Sequence, residues 1–191
     1  MQLPSGAELL ANALVTASIV CAARNSVHTW WSSIAGCAVF IYVFWQARLY
    51  ADAVGQVFFI GAAVYGWWHW LRGDHGRPAP VRWTSTRVLA GGVVAGLAFG
   101  FTWAELLTRH TDAAAPLVDS LVLAFSIFAQ LLLMARRVEN WAVWIAVNTL
   151  AVPLFWWREL HVTAGLYAFY WFNAWWALFH WHRLAESRAA A

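Results

Sequence analysis

Lysine is absent from this 191-residue chain; all 12 basic side chains are arginine. Charged types make up only 11% of residues and hydrophobic types 62%, where a soluble domain carries about 25% charged residues. That balance excludes an ordinary soluble globule. It also removes the nucleic-acid partner that a pI near 9.2 would suggest, and places the positive charge on one face of a membrane instead. Cysteine is scarce too: Cys21 and Cys37 lie in apolar runs without CxxC spacing, so they read as small buried hydrophobes rather than a redox or disulfide pair. No basic region precedes the first apolar run, which argues against a cleaved signal peptide. No Asp, Glu or Arg falls near the middle of an apolar run; Asp52, Glu105, Asp112 and Asp119 all sit near run ends. Proton- or sodium-driven carriers place ionisable groups or broken helices at mid-depth. A phosphate-binding glycine loop is missing as well. These absences describe a passive membrane facilitator, not an enzyme or a pump, and call for no metal or cofactor.

What the chain has in quantity is hydrocarbon and indole. Apolar runs at 8–23, 30–46, 50–71, 87–108, 116–135, 141–157 and 161–182 predict an all-α integral membrane protein with seven transmembrane helices. Loops 1–2, 3–4, 5–6 and the C-terminus then share a face holding Arg24, Arg72, Arg77, Arg82, Arg87, Arg136, Arg137, Arg183 and Arg188. The other face holds Arg48, Arg109 and Arg158. This bias predicts an external N-terminus and a cytoplasmic C-terminus.

Subtracting 111 from positions in the last third aligns them with the first third. Val138 falls on Val27, Trp141 on Trp30, Phe155-Trp156 on Phe44-Trp45, Phe169 on Phe58, His180-Trp181 on His69-Trp70, and Arg183 on Arg72. Spans 1–3 (residues 8–72) and 5–7 (residues 116–183) therefore read as copies of one three-helix unit within a single transmembrane domain, 1–191. Both copies start on the same face, so one extra crossing must separate them, and the span at 87–108 supplies it. The expected architecture is 3+1+3 with parallel repeats, as in sugar transporters of the SWEET type. Gly92, Gly96 and Gly100 form a small-residue ridge along span 4, read as packing.

A ligand site in such a protein should use mid-depth residues on facing helices. Trp141, Trp144 and Asn148 are spaced three and four apart, so they share one face of span 6. Span 3 offers Gln56 and, nine residues on, Tyr65; span 7 offers Tyr170 and Asn173. Each amide has an alternative role as polar glue between helices. Trp30, Trp31, Trp67, Trp68, Trp70 and Trp181 lie near span ends, where belt anchoring is the expectation for most. Indole faces beside neutral amides suit a planar, cationic ring bearing hydroxyls.

Two segments carry a family resemblance. Leu49 to Phe59, followed by Tyr65-Gly66-Trp67-Trp68-His69-Trp70, and Val138-Glu139-Asn140-Trp141-Ala142-Val143-Trp144 through Asn148 resemble the PnuC family of vitamin transporters. The likeness runs from about residue 24 to 183. It implies a 3+1+3 fold and facilitated diffusion of nicotinamide riboside across the bacterial cytoplasmic membrane. It further implies trapping of the imported riboside by a cytoplasmic kinase, and homo-oligomers, a trimer by family likeness. Matching motif positions puts ligand contacts on Gln56, Trp141, Trp144 and Asn148, while the aromatic stretch Tyr170 to Trp176 departs from the family pattern. Thiamine and riboflavin are alternative cargoes within that family. A haem-handling or redox membrane protein, built on His69 and His180, and a ligand-free structural subunit are the readings from other classes.

Overall fold

The computed structural model describes residues 6–46, 50–111 and 115–189. Arg48, Leu49 and Asp112 lie outside the described residues, as do the side chains of Asp52 and Arg188. Seven helices follow one another: α1 (Gly6–Ala23), α2 (His28–Gln46), α3 (Tyr50–Arg72), α4 (Thr86–His110), α5 (Pro116–Met134), α6 (Asn140–Trp157) and α7 (His161–Ala189). Their ends match the apolar runs closely, except that α7 continues seven residues beyond the expected 182. By length and composition α1, α4 and α5 are apolar enough to cross a membrane. The other four carry more Trp, Tyr, His and amides, whose N–H and O–H groups lower mean hydropathy while their rings remain apolar.

Residues 1–80 and 81–191 form two compact units. In the first, α2 packs against both α1 and α3; in the second, α5 packs against α4 and α6, and α7 against α6. The offset of 111 reappears in atomic detail. Helix α1 ends with Asn25 at φ 55° and α5 with Arg136 at φ 58°, both in the left-handed region. In the first turn the amides of Asn25 and Ser26 donate to the carbonyls of Ala22 and Cys21; in the second those of Arg136 and Arg137 donate to Leu133 and Leu132. That is the same helix-ending motif twice, built without glycine.

Residues 111 apart also make matching contacts in the two cores. The rings of Trp30 and Trp70 meet edge to face at 5.2 Å and 89°, and those of Trp141 and Trp181 at 5.6 Å and 79°. All four are buried, with Trp70 and Trp181 at 0% exposure. Belt anchoring is therefore corrected for Trp30, Trp70 and Trp181: they are cores of their units. Gly66 makes this possible in the first, since a Cβ there would collide with the six-membered ring of Trp30. Trp45 and Trp156, also 111 apart, are exposed at 61% and 63%, as belt residues should be.

The glycine ridge packs α4 on α5. A Cβ on Gly92 would strike the Phe128 ring, one on Gly96 would stand 3.3 Å from Phe125, and one on Gly100 2.8 Å from Leu121. Large apolar side chains along α3, α4 and α7 are exposed, among them Phe58, Val94 and Phe172. Such surface belongs against lipid rather than water.

Candidate functional site

Helix α6 begins with a tightly held turn and carries the Trp-Trp-Asn stripe inward from it. Trp141 is fully enclosed against Trp181, and its Nε1 has no hydrogen-bond partner among the described residues. Trp144, one turn further, is half-buried. Asn148, another turn on, is 3% exposed, and no hydrogen bond to its carboxamide is found among the described residues.

Helix α7 determines what stands opposite. Trp141 touches Trp181, the Trp171 Nε1 donates to the Thr149 hydroxyl at 3.0 Å, and Phe155 meets Tyr167 at 4.8 Å. These three contacts fix an antiparallel register. In that register residue 148 lies level with residue 173. Asn173 is half-buried, but its Nδ2 is enclosed and unpartnered among the described residues. Two carboxamides, Asn148 and Asn173, therefore occupy one depth of the α6–α7 pair. Tyr170, buried and 5.7 Å from Tyr167, lies one turn earlier on α7.

Pro153 adds a further polar atom at this level. Proline has no N–H, so the bond that residue 153 would donate to the Thr149 carbonyl is missing. The Thr149 hydroxyl donates instead to the Ile145 carbonyl at 2.7 Å. Thr149, Pro153 and Trp171 were not among the expected site residues; the one signal was a proline inside an apolar run.

The second unit keeps its charges at helix ends. Arg158 and Asp119 pair at 2.5 Å, joining the end of α6 to the start of α5. Arg109 pairs with Glu105 at 2.7 Å near the end of α4. The middle of the α6–α7 pair is left with rings, hydroxyls and neutral amides.

The first unit holds Gln56 and Tyr65 on α3. Gln56 is half-buried. Tyr65 is 52% exposed and stacks on His69 at 6.0 Å and 9°. Nine residues are two and a half helical turns, so the two side chains leave α3 on opposite sides and are not brought together. The histidines of the redox reading are each stacked on a ring one turn back, His69 on Tyr65 and His180 on Trp176 at 5.1 Å.

Comparison with known proteins gives a consistent picture. The family model described as nicotinamide mononucleotide transporter matches residues 5–183. The nicotinamide riboside transporter PnuC of Escherichia coli (strain K12) is 25% identical over 160 residues, covering 70% of this chain and 67% of that protein. The protein of the same name from Neisseria mucosa is 31% identical over 84 residues, covering 41% of this chain and 32% of that one. The crystal structure of the vitamin B3 transporter PnuC superposes with a TM-score of 0.71 at 20% identity, covering 93% of this chain and 81% of that one. At that identity the superposition establishes a shared fold.

Proposed function

We infer the function from one premise: this chain belongs to the nicotinamide mononucleotide transporter family. It is a multi-pass membrane transporter, and its cargo is nicotinamide riboside, the solute named for the relatives it resembles. The riboside offers a cationic pyridinium ring, a neutral carboxamide and ribose hydroxyls. Trp144 supplies an indole face for the ring, and Asn148 and Asn173 supply donors and acceptors for the carboxamide and hydroxyls. The observation that carries this reading is the level placement of Asn148 on α6 and Asn173 on α7, with the Asn173 Nδ2 enclosed and unpartnered among the described residues. Tyr170 borders them on α7, and for Gln56 on α3 the ligand role rests on the family motif alone. Trp141 closes the stripe at its buried end, and Tyr65 is the residue of the set with least support.

All seven helices are taken as spans, in a 3+1+3 arrangement whose repeats, 8–72 and 116–183, run parallel and are joined by the helix at 87–108. The arginine bias supports a cytoplasmic C-terminus in a bacterial inner membrane. With the ion pairs of the described residues 81–189 at helix ends, inward flux would run down a gradient, kept up by a cytoplasmic kinase that phosphorylates the riboside. The protein carries its cargo without transforming it, as a homo-oligomer on family likeness.

Titration of the purified protein with nicotinamide riboside, thiamine and riboflavin tests the assignment. Heat of binding with nicotinamide riboside alone, or at least tenfold tighter than with the others, is expected, roughly a 1.4 kcal/mol preference. Tighter binding of thiamine, also a cationic ring, would transfer the reading to that vitamin.

A further inference from the structure

The motif Glu139-Asn140-Trp141-x-x-Trp144 contains a carboxylate that the ligand reading does not use. Glu139 is the residue before α6, in the N-cap position, yet its side chain makes no capping bond to its own helix. It reaches back 55 residues instead: the Thr84 backbone amide donates to Oε1 at 2.7 Å and the Thr84 hydroxyl to Oε2 at 3.0 Å. Thr84 directly precedes Ser85, the N-cap of α4. One carboxylate thus links the starts of two helices, where helix dipoles favour negative charge.

The surrounding bonds make this a strap rather than a lone contact. The Arg82 amide donates to the Arg136 carbonyl and the Val138 amide to the Arg82 carbonyl, both at 3.2 Å, giving a parallel bridge between residues 82 and 137. The Arg137 guanidinium donates to the Trp83 carbonyl at 2.9 Å. Trp83 in turn packs edge to face on His182 of α7, at 5.4 Å and 75°. Residues 82–84 are therefore zipped along 136–139 and rest on α7. Asn140 and Trp141, next in the chain, are fully buried, so whatever holds residue 139 also sets the rotation of α6 about its axis.

We propose that Glu139 is a positioning residue for ligand binding: its carboxylate locks the strap at 82–84 and thereby orients Trp144 and Asn148 toward the ligand. This rests on the nicotinamide riboside reading above. A rotation of α6 by one residue would carry Asn148 through about 100°, away from its level partner on α7. Helix packing through Trp141 and Trp181 survives loss of the strap, so the fold persists while the stripe loses its precise setting.

The test compares full-length protein in detergent, by calorimetry with nicotinamide riboside and by melting. Glu139→Ala weakens binding about fivefold or more while changing the melting temperature by only a few degrees, because two charge-assisted bonds are lost at a part-exposed site. Glu139→Gln, which keeps length and one acceptor, recovers part of the affinity. The double variant Thr84→Cys, Glu139→Cys, made with Cys21 and Cys37 replaced by serine, binds weakly when reduced and within about twofold of its parent once oxidised to the disulfide. Unchanged affinity in Glu139→Ala, or a cross-linked form that stays weak, overturns the proposal. If the unsubstituted protein binds no nicotinamide riboside, the transport reading fails instead. The strap is then judged by hydrogen exchange, where amides 82 and 138 unprotected in Glu139→Ala support it and unchanged protection overturns it.

Discussion

Replacing Asn148 by alanine separates a ligand-binding amide from one that holds helices together. The residue is 3% exposed and its carboxamide finds no partner among the described residues. If it served as polar glue, truncation would strand a partner, costing about 1–3 kcal/mol. That would lower the melting temperature by roughly 2–4 °C per kcal/mol in a chain of this size. Among the described residues no such partner is found, so Asn148→Ala should leave melting within about a degree or two of the parent. Binding loses one or two hydrogen bonds between neutral groups, about 0.5–1.5 kcal/mol each, so the Kd rises by roughly twofold to 150-fold. Calorimetry with nicotinamide riboside and a melting scan on one preparation decide between the two. A protein that melts several degrees lower with its Kd intact would refute the ligand role and show that the amide bonds to its neighbours.

The two classes of tryptophan should separate cleanly. Trp30→Ala empties a core held by Trp70 and Gly66 and should destabilise by about 3–5 kcal/mol, read as a lower melting temperature, whereas Trp144→Ala should melt normally and lose riboside affinity. Gly66→Val places two methyls where the Trp30 ring lies, so the expected result is loss of folded protein on size-exclusion chromatography. On α3, Gln56→Ala should weaken binding several-fold while Tyr65→Ala, on the opposite side, leaves it within about twofold; the reverse order would move the site to the other face of α3. Purified protein should show no Soret absorbance; a Soret band would favour the haem-handling reading of His69 and His180.

Much of this was legible in the residues themselves. A helix long enough to cross a bilayer needs a run of apolar side chains, and those runs gave the seven helices nearly to the residue, including α6 (Asn140–Trp157) against an expected 141–157. The offset of 111 was visible because His-Trp-x-Arg and Phe-Trp recur without a gap; the tryptophans so aligned make matching edge-to-face pairs, and left-handed turns recur at Asn25 and Arg136 although those side chains differ. The stripe of Trp141, Trp144 and Asn148 followed from helical periodicity alone.

Other features depended on which atoms meet across helices. Proximity to a span end cannot distinguish a belt tryptophan from a core one; Trp30 and Trp31 are neighbours in sequence, yet the first is 1% exposed and the second 47%. The difference lies in Gly66, a distant residue whose missing side chain admits the Trp30 ring. Nothing in the spacing of Asn173 linked it to Asn148, because that link is an antiparallel register set by Trp171 with Thr149 and Trp141 with Trp181. No local spacing announced that the Glu139 carboxylate accepts from Thr84, 55 residues away. Periodicity along one chain specifies helices and their faces, since those depend on near neighbours; which faces touch, and which polar atoms remain unpaired there, is decided only when distant segments pack.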